Sequence, residues 1–270
     1  MNDEVSESSQ EMRMPVNNEK PAAIVTGAAS GIGRAVCERL SARDVPALAV
    51  DIDTAALAWT ENAKNVVPFV ADISTAAGNQ GMVAAGIERF REVSAVVFNA
   101  AVFPTGPIVT MSAADIDALI AVNFRAVIHG IQAVLPALRA HGAGAIVVTS
   151  SCGGLLADPN SAVYGATKAA LNHLVKATAF ELGPADIRIN AVCPGPTLTG
   201  PTENIPDFDK SEIFAQQASL TALQRWAQPC EIAAAIDFLL SSDASYITGA
   251  AVPVDGGWTA GHAELRPEVL

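Results

Sequence analysis

An α/β fold on a parallel sheet is predicted by three features of the sequence. Short apolar, β-branched runs alternate with stretches of helical period. Small or polar residues able to do chemistry stand at the ends of those runs, where parallel α/β sheets place their sites. The 270 residues are 50% hydrophobic, enough for one large domain whose strands are buried on both faces.

Taken in order, Pro21–Thr26 reads as the first strand and Arg34–Arg43 as the first helix, with glycines between them. Val45–Val50 is the second strand; Asp53 is suited to cap a helix beginning near Thr54. Val66–Ala71 follows as a strand, Ala76–Arg91 as a helix and Val93–Phe98 as the fourth strand. Ser112 is a plausible N-cap for a helix reaching Arg139, with Ile116, Leu119, Ile120, Val127, Ile131 and Leu135 in helical rhythm. Ala145–Ser150 is a strand, Ser161–Leu182 a long helix and Ile187–Val192 a sixth strand. Residues 198–226 have mixed polarity and the length of a lid or binding loop. Pro229–Ser241 is a helix with proline in its first turn, and Tyr246–Val254 the last strand region. Such alternation implies right-handed βαβ units.

Residues 1–20 are polar and acidic, without an apolar run, and are expected to form a disordered tail; 261–270 is a C-terminal tail. The formal charge of −12 argues against nucleic acid or an anionic membrane as partner. No run of 18 apolar residues occurs, so no span is expected. Cys37, Cys152, Cys193 and Cys230 are scattered and fit reduced thiols in a cytoplasmic protein. The 4 histidines are equally dispersed, with no metal-ligand spacing.

The glycine loop Gly27-Ala-Ala-Ser30-Gly31-Ile32-Gly33 lies between strand and helix, where bare backbone can approach a pyrophosphate above a helix N-terminus. Asp51 comes 18 residues after Gly33, where a carboxylate accepts hydrogen bonds from an adenosine ribose. It would repel a 2′-phosphate, and neither Ser30 nor Ile52 offers a positive charge, so NAD is favoured over NADP. Arg34 is the nearby basic residue that would weaken this preference. Gly27, Asp51, Asp72, Asn99 and Ser151 all fall at carboxyl ends of strands.

The stretch Ser151–Lys168 carries the acid–base chemistry. In a helix, Tyr164 and Lys168 share one face, a turn apart. A phenol titrates near pH ~10, and a neighbouring ammonium favours its ionised form. Bringing it to neutrality takes about 4 kcal/mol, which asks for a second positive charge such as an oxidised nicotinamide. Ser151, at a strand end, would hydrogen-bond the same substrate oxygen. Asn123 lies mid-helix beside the apolar stripe; it either satisfies a local hydrogen bond or holds a water within reach of Lys168.

With these residues in view, the chain resembles the classical short-chain dehydrogenase/reductase family over roughly residues 20–258. The markers are Thr26–Gly33, Asp72-Ile73, Asn99-Ala100-Ala101, Asn123, Ser151, Tyr164-Gly-Ala-Thr-Lys168 and Pro194-Gly195, in family order. The resemblance implies a single Rossmann-like, doubly wound domain over 21–260, with a seven-stranded parallel sheet flanked by helices. It also implies a homotetramer or homodimer, with helices 112–139 and 161–182 at subunit interfaces. By the same resemblance Tyr164 is the general acid/base, Lys168 binds the nicotinamide ribose and lowers the Tyr164 pKa, Ser151 polarises the substrate oxygen, and Asn123 supports a water-linked relay. Ala71, Asp72, Ile73, Asn99, Ala100, Ala101, Pro194, Gly195, Thr197 and Thr199 join the glycine loop, Asp51 and Ile52 around the cofactor.

The family usually shows Asn-Asn-Ala-Gly where this chain has Phe98-Asn99-Ala100-Ala101. If residue 101 has φ > 0, Ala101 is strained. By analogy Cys152, Gly153, Leu155, Phe103, Pro196 and the 198–226 segment surround the substrate. Cys152 reads as a small pocket-lining residue before it reads as a reactive thiol. The named fixed positions, Cys152, Gly153, Leu155, Phe103 and Pro196, lack Arg and Lys, which disfavours a strongly anionic substrate; an uncharged secondary alcohol or ketone, cyclic or aromatic, is expected. Two other readings stay open: oxidation of a cyclic dihydrodiol, and a non-catalytic NAD-binding regulatory protein.

Overall fold

The computed structural model describes residues 21–199 and 210–261. The 1–20 and C-terminal tails, save for Gly261, and the 200–209 part of the expected lid lie outside them.

Seven parallel strands form one sheet in the order β3-β2-β1-β4-β5-β6-β7. They are β1 (Ala22–Thr26), β2 (Ala47–Asp51), β3 (Val66–Val70), β4 (Val93–Phe98), β5 (Gly144–Thr149), β6 (Ile187–Pro194) and β7 (Ala251–Val254). The order reverses between β1 and β4, so the loops leaving those two strands part and open a crevice at their carboxyl ends. Helix α1 (Gly31–Ala42) follows β1, and α2 (Ala76–Phe90) follows β3. Next come α3 (Ala113–Ala118), a π-helical turn Leu119–Arg125 and α4 (Ala126–His141). The remaining helices are α5 (Ala162–Leu182), α6 (Lys210–Leu220) and α7 (Pro229–Leu240).

Side chains alternating along each strand feed two apolar layers. Ile24, Leu48, Met82, Val134, Ile146, Leu171 and Ile189 fill the layer under α2, α4 and α5. Ala23, Val25, Val36, Leu40, Ile232 and Ile236 fill the layer under α1 and α7. Each fully buried Leu, Ile or Val contributes about 1.5–3 kcal/mol, and both faces of the sheet are dry. Arg39 and Arg43 both pair with the carboxylate of Asp237, whose side chain is 5% exposed. That contact locks α1 to α7.

Several boundaries differ from the sequence reading. The helix expected near Thr54 is a 3-10 helix, Ala56–Asn62. Its N-cap is Ala55 rather than Asp53, although Asp53 Oδ1 does accept from the Ala56 N–H at 3.0 Å. The last strand begins at Ala251 rather than Tyr246, because Gly249 at φ +73° turns the chain just before it. The run Ala113–His141 has the length and composition to cross a bilayer. Here its Val127, Ile131, Val134 and Leu138 are buried in the core against the sheet.

Ala101 is not among the described residues with positive φ, so its methyl carries no backbone strain. Phe98 is accommodated by Gly130, where a Cβ would come within 2.2 Å of its ring. The cost falls on Asn79, whose buried Oδ1 lies in the same spot without a hydrogen-bond partner. Such an atom costs about 1–3 kcal/mol.

Candidate active site

Strand ends and close backbone contacts assemble the site. Gly33 in α1 sits so near the preceding loop that a Cβ would lie 2.1 Å from the Gly27 carbonyl oxygen. This contact folds the glycine loop back onto the first turn of α1. Ser30, the N-cap residue, makes no side-chain cap, so its hydroxyl stays available at the helix N-terminus. Asp51 closes the other side. Its Oδ2 accepts from the Ala29 N–H at 3.0 Å, and its Oδ1 from Ile52 and Asp53 N–H at 2.8 and 3.1 Å. Arg34 is turned away, paired with Glu38 at 2.8 Å and stacked 5.1 Å above the Trp59 ring.

Asn99 staples three strand ends. Its Nδ2 donates to the Thr26 and Gly27 carbonyls at 3.1 and 3.2 Å, and its Oδ1 accepts from Thr149 Oγ1 at 3.2 Å. Thr26 Oγ1 in turn accepts from the Asn99 and Ala100 N–H groups. Thr26 is thus the hinge pin of the crevice.

After β5 the chain runs through Ser151 into a short 3-10 turn, Cys152–Gly154, which rests directly on α5. A Cβ on Gly154 would come 2.7 Å from the Lys168 carbonyl carbon, and one on Gly165 2.8 Å from the Gly153 carbonyl oxygen. These two glycines let the turn lie against α5, and a Cβ on Gly153 would meet both Ser151 Oγ at 3.5 Å and the Tyr164 ring at 3.9 Å. Lys168 is 2% exposed. Its Nζ donates to the Thr149 carbonyl at 2.8 Å and lies 5.6 Å from the Tyr164 ring centroid. The Phe103 ring stands edge-on to that of Tyr164, centroids 4.4 Å apart.

Electrostatics here depart from the sequence expectation. Burial pushes the Tyr164 phenol up to about 12, partly offset by the Ser151 hydrogen bond. Burial also lowers Lys168 to about 8. The ammonium is aimed at the Thr149 carbonyl, and among protein groups alone desolvation outweighs its pull on the phenol. The Cys152 thiol is held up at about 11 by burial, an inert pocket wall rather than a nucleophile.

A cavity of about 690 Å³ runs across the crevice. Ser151, Cys152, Tyr164 and Lys168 line it, with Gly27, Ser30, Gly31, Ile32, Asp51, Ile52, Ala71, Asp72, Ile73 and Asn99–Ala101. Pro194, Gly195, Thr197 and Thr199 complete the predicted set. Gly33 does not line the cavity and instead shapes the loop behind it. Asn123 is 1% exposed in the π-helical turn. Its Oδ1 accepts from Val102 N–H at 2.8 Å and its Nδ2 donates to the Val102 carbonyl at 2.9 Å. The amide thus fastens the loop after β4 rather than reaching into the cavity. Leu156 replaces the expected Leu155 on the wall.

Sequence reasoning missed Trp258 and Asp158 as lining residues, and it covered Phe214, Gln217 and Trp226 only through the 198–226 segment without singling them out. Phe214 and Trp226 stand edge-to-face at 4.5 Å, and Trp226 Nε1 donates to the Phe214 carbonyl at 3.1 Å. That pair pins α6 over the cavity. The signal was three scattered aromatics in a chain with 5% aromatic residues.

A family profile described as enoyl-(acyl carrier protein) reductase matches residues 27–259. The chain belongs to the classical short-chain dehydrogenase/reductase family. Levodione reductase from Leifsonia aquatica is 33% identical over 251 residues, covering 88% of this chain and 94% of the relative. A crystal structure of levodione reductase superposes with a TM-score of 0.85 at 31% identity, over 90% of this chain and 98% of that one. A 2,5-dichloro-2,5-cyclohexadiene-1,4-diol dehydrogenase from Sphingobium indicum is 32% identical over 250 residues, 88% of this chain and 96% of that relative. A 3-ketoacyl-(acyl-carrier-protein) reductase from Brucella melitensis, solved with NADH, gives a TM-score of 0.81 at 29% identity, over 88% and 98% of the two chains. As a short-chain dehydrogenase/reductase, this protein is an oxidoreductase of CH–OH groups that binds a nicotinamide cofactor.

Proposed function

We propose that this protein interconverts an uncharged cyclic or aryl secondary alcohol and its ketone, using NAD, with Tyr164 as general acid/base. The observation that carries this reading is the juxtaposition of Ser151 and Tyr164 beside buried Lys168, on the wall of the cavity that the glycine loop opens into. The residues fit a dinucleotide: bare backbone and an uncapped Ser30 at the α1 N-terminus suit a pyrophosphate, and Asp51 suits a ribose diol. NAD rather than NADP is supported by the Asp51 carboxylate and by Arg34 being engaged with Glu38.

Ser151 Oγ and Tyr164 Oη would converge on the substrate oxygen, orienting it and excluding other geometries. In oxidation, Tyr164 Oη takes the hydroxyl proton; in reduction it returns it. A bound nicotinamide supplies the hydride acceptor or donor and, oxidised, a positive charge over the site. From about 12 to neutral pH is about five units, roughly 7 kcal/mol of differential stabilisation of the phenolate. Lys168 shares that work once a ribose hydroxyl competes with Thr149 for its ammonium. Among the described lining residues no arginine occurs, and the cation Lys168 is already bonded, which favours a neutral substrate.

The test is a cofactor-resolved screen of secondary alcohols and ketones, following reduced nicotinamide absorbance. NAD-linked turnover of cyclic or aryl compounds is expected. Tight NADH binding with silence on the whole panel would instead support the regulatory reading.

A further inference from the structure

Resting on the alcohol–ketone reading above, we propose that the substrate carries a second hydrogen-bond donor, a hydroxyl or a protonated amine, which Asp158 receives. Aromatic side chains supply part of the cavity wall, Phe103 edge-on to Tyr164 and Phe214 edge-on to Trp226. Two of the chain's 3 tryptophans, Trp226 and Trp258, line it with Phe214 and Phe103. Such walls favour a ring-shaped, largely apolar body. Asp158 breaks the pattern. Asp51 and Asp72 sit at the ends of the β2 and β3 strands, and Lys168 is committed to the Thr149 carbonyl, so Asp158 is the remaining charged residue among the described lining residues.

That carboxylate is exposed and only loosely held by the fold. Its side chain accepts from Ser161 Oγ at 3.5 Å, the outer limit of a hydrogen bond, and no described cation pairs with it. Its neighbour in kind, Asp255, is consumed by the Gly257 and Thr259 N–H groups and the Thr259 hydroxyl. The loop bearing Asp158 is also tethered across the cavity mouth, where Gly106 N–H donates to the Asn160 carbonyl at 2.8 Å. The field of Asp158 reaches Cys152, next to Ser151, and helps to hold that thiol protonated. A carboxylate within range of the reacting end, lining the same cavity as the aromatic rings, complements a second donor on a ring-shaped substrate. An ionised acceptor strengthens a hydrogen bond, and a cation would gain further from the aromatic faces.

The experiment compares cyclohexanol, cyclohexane-1,2-diol, cyclohexane-1,4-diol and 4-aminocyclohexanol as substrates of wild type and Asp158→Leu. Wild type should favour a donor-bearing ring over cyclohexanol by about 10-fold or more in kcat/KM, the size expected of one charge-assisted hydrogen bond. Asp158→Leu should collapse that ratio toward one, and Asp158→Asn, which keeps an uncharged acceptor, should retain part of it for the diols but little for the amine. Preference for the diols assigns a hydroxyl; preference for the amine assigns an ammonium. A wild-type ratio near one, or a ratio that survives in Asp158→Leu, overturns the proposal while leaving the alcohol–ketone reading standing. No turnover of any of the four, together with silence on the wider screen, overturns both.

Discussion

Replacing Lys168 by methionine should stabilise the fold near neutral pH while removing activity, and pH reveals why. Lys168 is buried among α5, β5 and β6, with its pKa lowered from 10.5 to about 8. Below about 8 the lysine is charged in both folded and unfolded states, and the folded protein bears the cost of burying that charge. Between about 8 and 10.5 the unfolded chain binds more protons than the folded one, so stability rises with pH. Above 10.5 the penalty is gone. The 2.5-unit difference between those values corresponds to about 3 kcal/mol. Against this, Lys168→Met forfeits the hydrogen bond to the Thr149 carbonyl, about 1–3 kcal/mol. At pH 7 the variant should therefore equal or exceed wild type in stability. Wild type should gain on it by up to about 3 kcal/mol as pH climbs toward 10.5. Tyr164, Cys37 and Cys152 titrate in both proteins and largely cancel in the difference; Cys193, which faces Lys168 with its own pKa raised, weighs most at the alkaline end. Urea unfolding at half-unit pH steps reads the difference directly, with equal m-values as the control. A difference independent of pH, or one that grows in favour of methionine, would refute the buried-charge argument.

Three further outcomes test the site. Tyr164→Phe should lower kcat by about 100- to 10,000-fold with NADH affinity largely kept, measured by fluorescence titration; undiminished turnover would remove Tyr164 as the base. Asp51→Ala should shift the NAD to NADP ratio of kcat/KM toward NADP, and should also loosen the glycine loop by taking the acceptor from Ala29 N–H. An unchanged ratio would assign ribose reading to another residue. Gly33→Ala places a methyl 2.1 Å from the Gly27 carbonyl oxygen, a backbone obstacle that cannot swing aside. A loss of about 1–3 kcal/mol in stability should accompany weakened NADH binding, and a variant that binds normally would show the loop to be more yielding than its contacts imply.

Much of this protein was written in local pattern. Strand-then-glycine-then-helix, six further apolar runs and the Tyr-x-x-x-Lys spacing are properties of neighbouring residues, so the parallel sheet, its carboxyl-end crevice and the shared face of Tyr164 and Lys168 followed from the chain alone. Tertiary structure decided what depends on distant segments meeting. Asn123 and Val102 are brought together so that one donor and one acceptor of the amide are spent on the loop after β4. The Tyr164 pKa rises because burial is a sum over the whole fold, whereas a helical spacing reports a single neighbour. Phe214 and Trp226, a turn of chain apart in no periodic pattern, become one wall only when α6 folds over the sheet. Asp158 looked like any loop acid until the fold set it on the cavity wall with only a long Ser161 contact. Local physics sets elements and their order; desolvation and long-range contact set which polar groups are spent and which remain free to act.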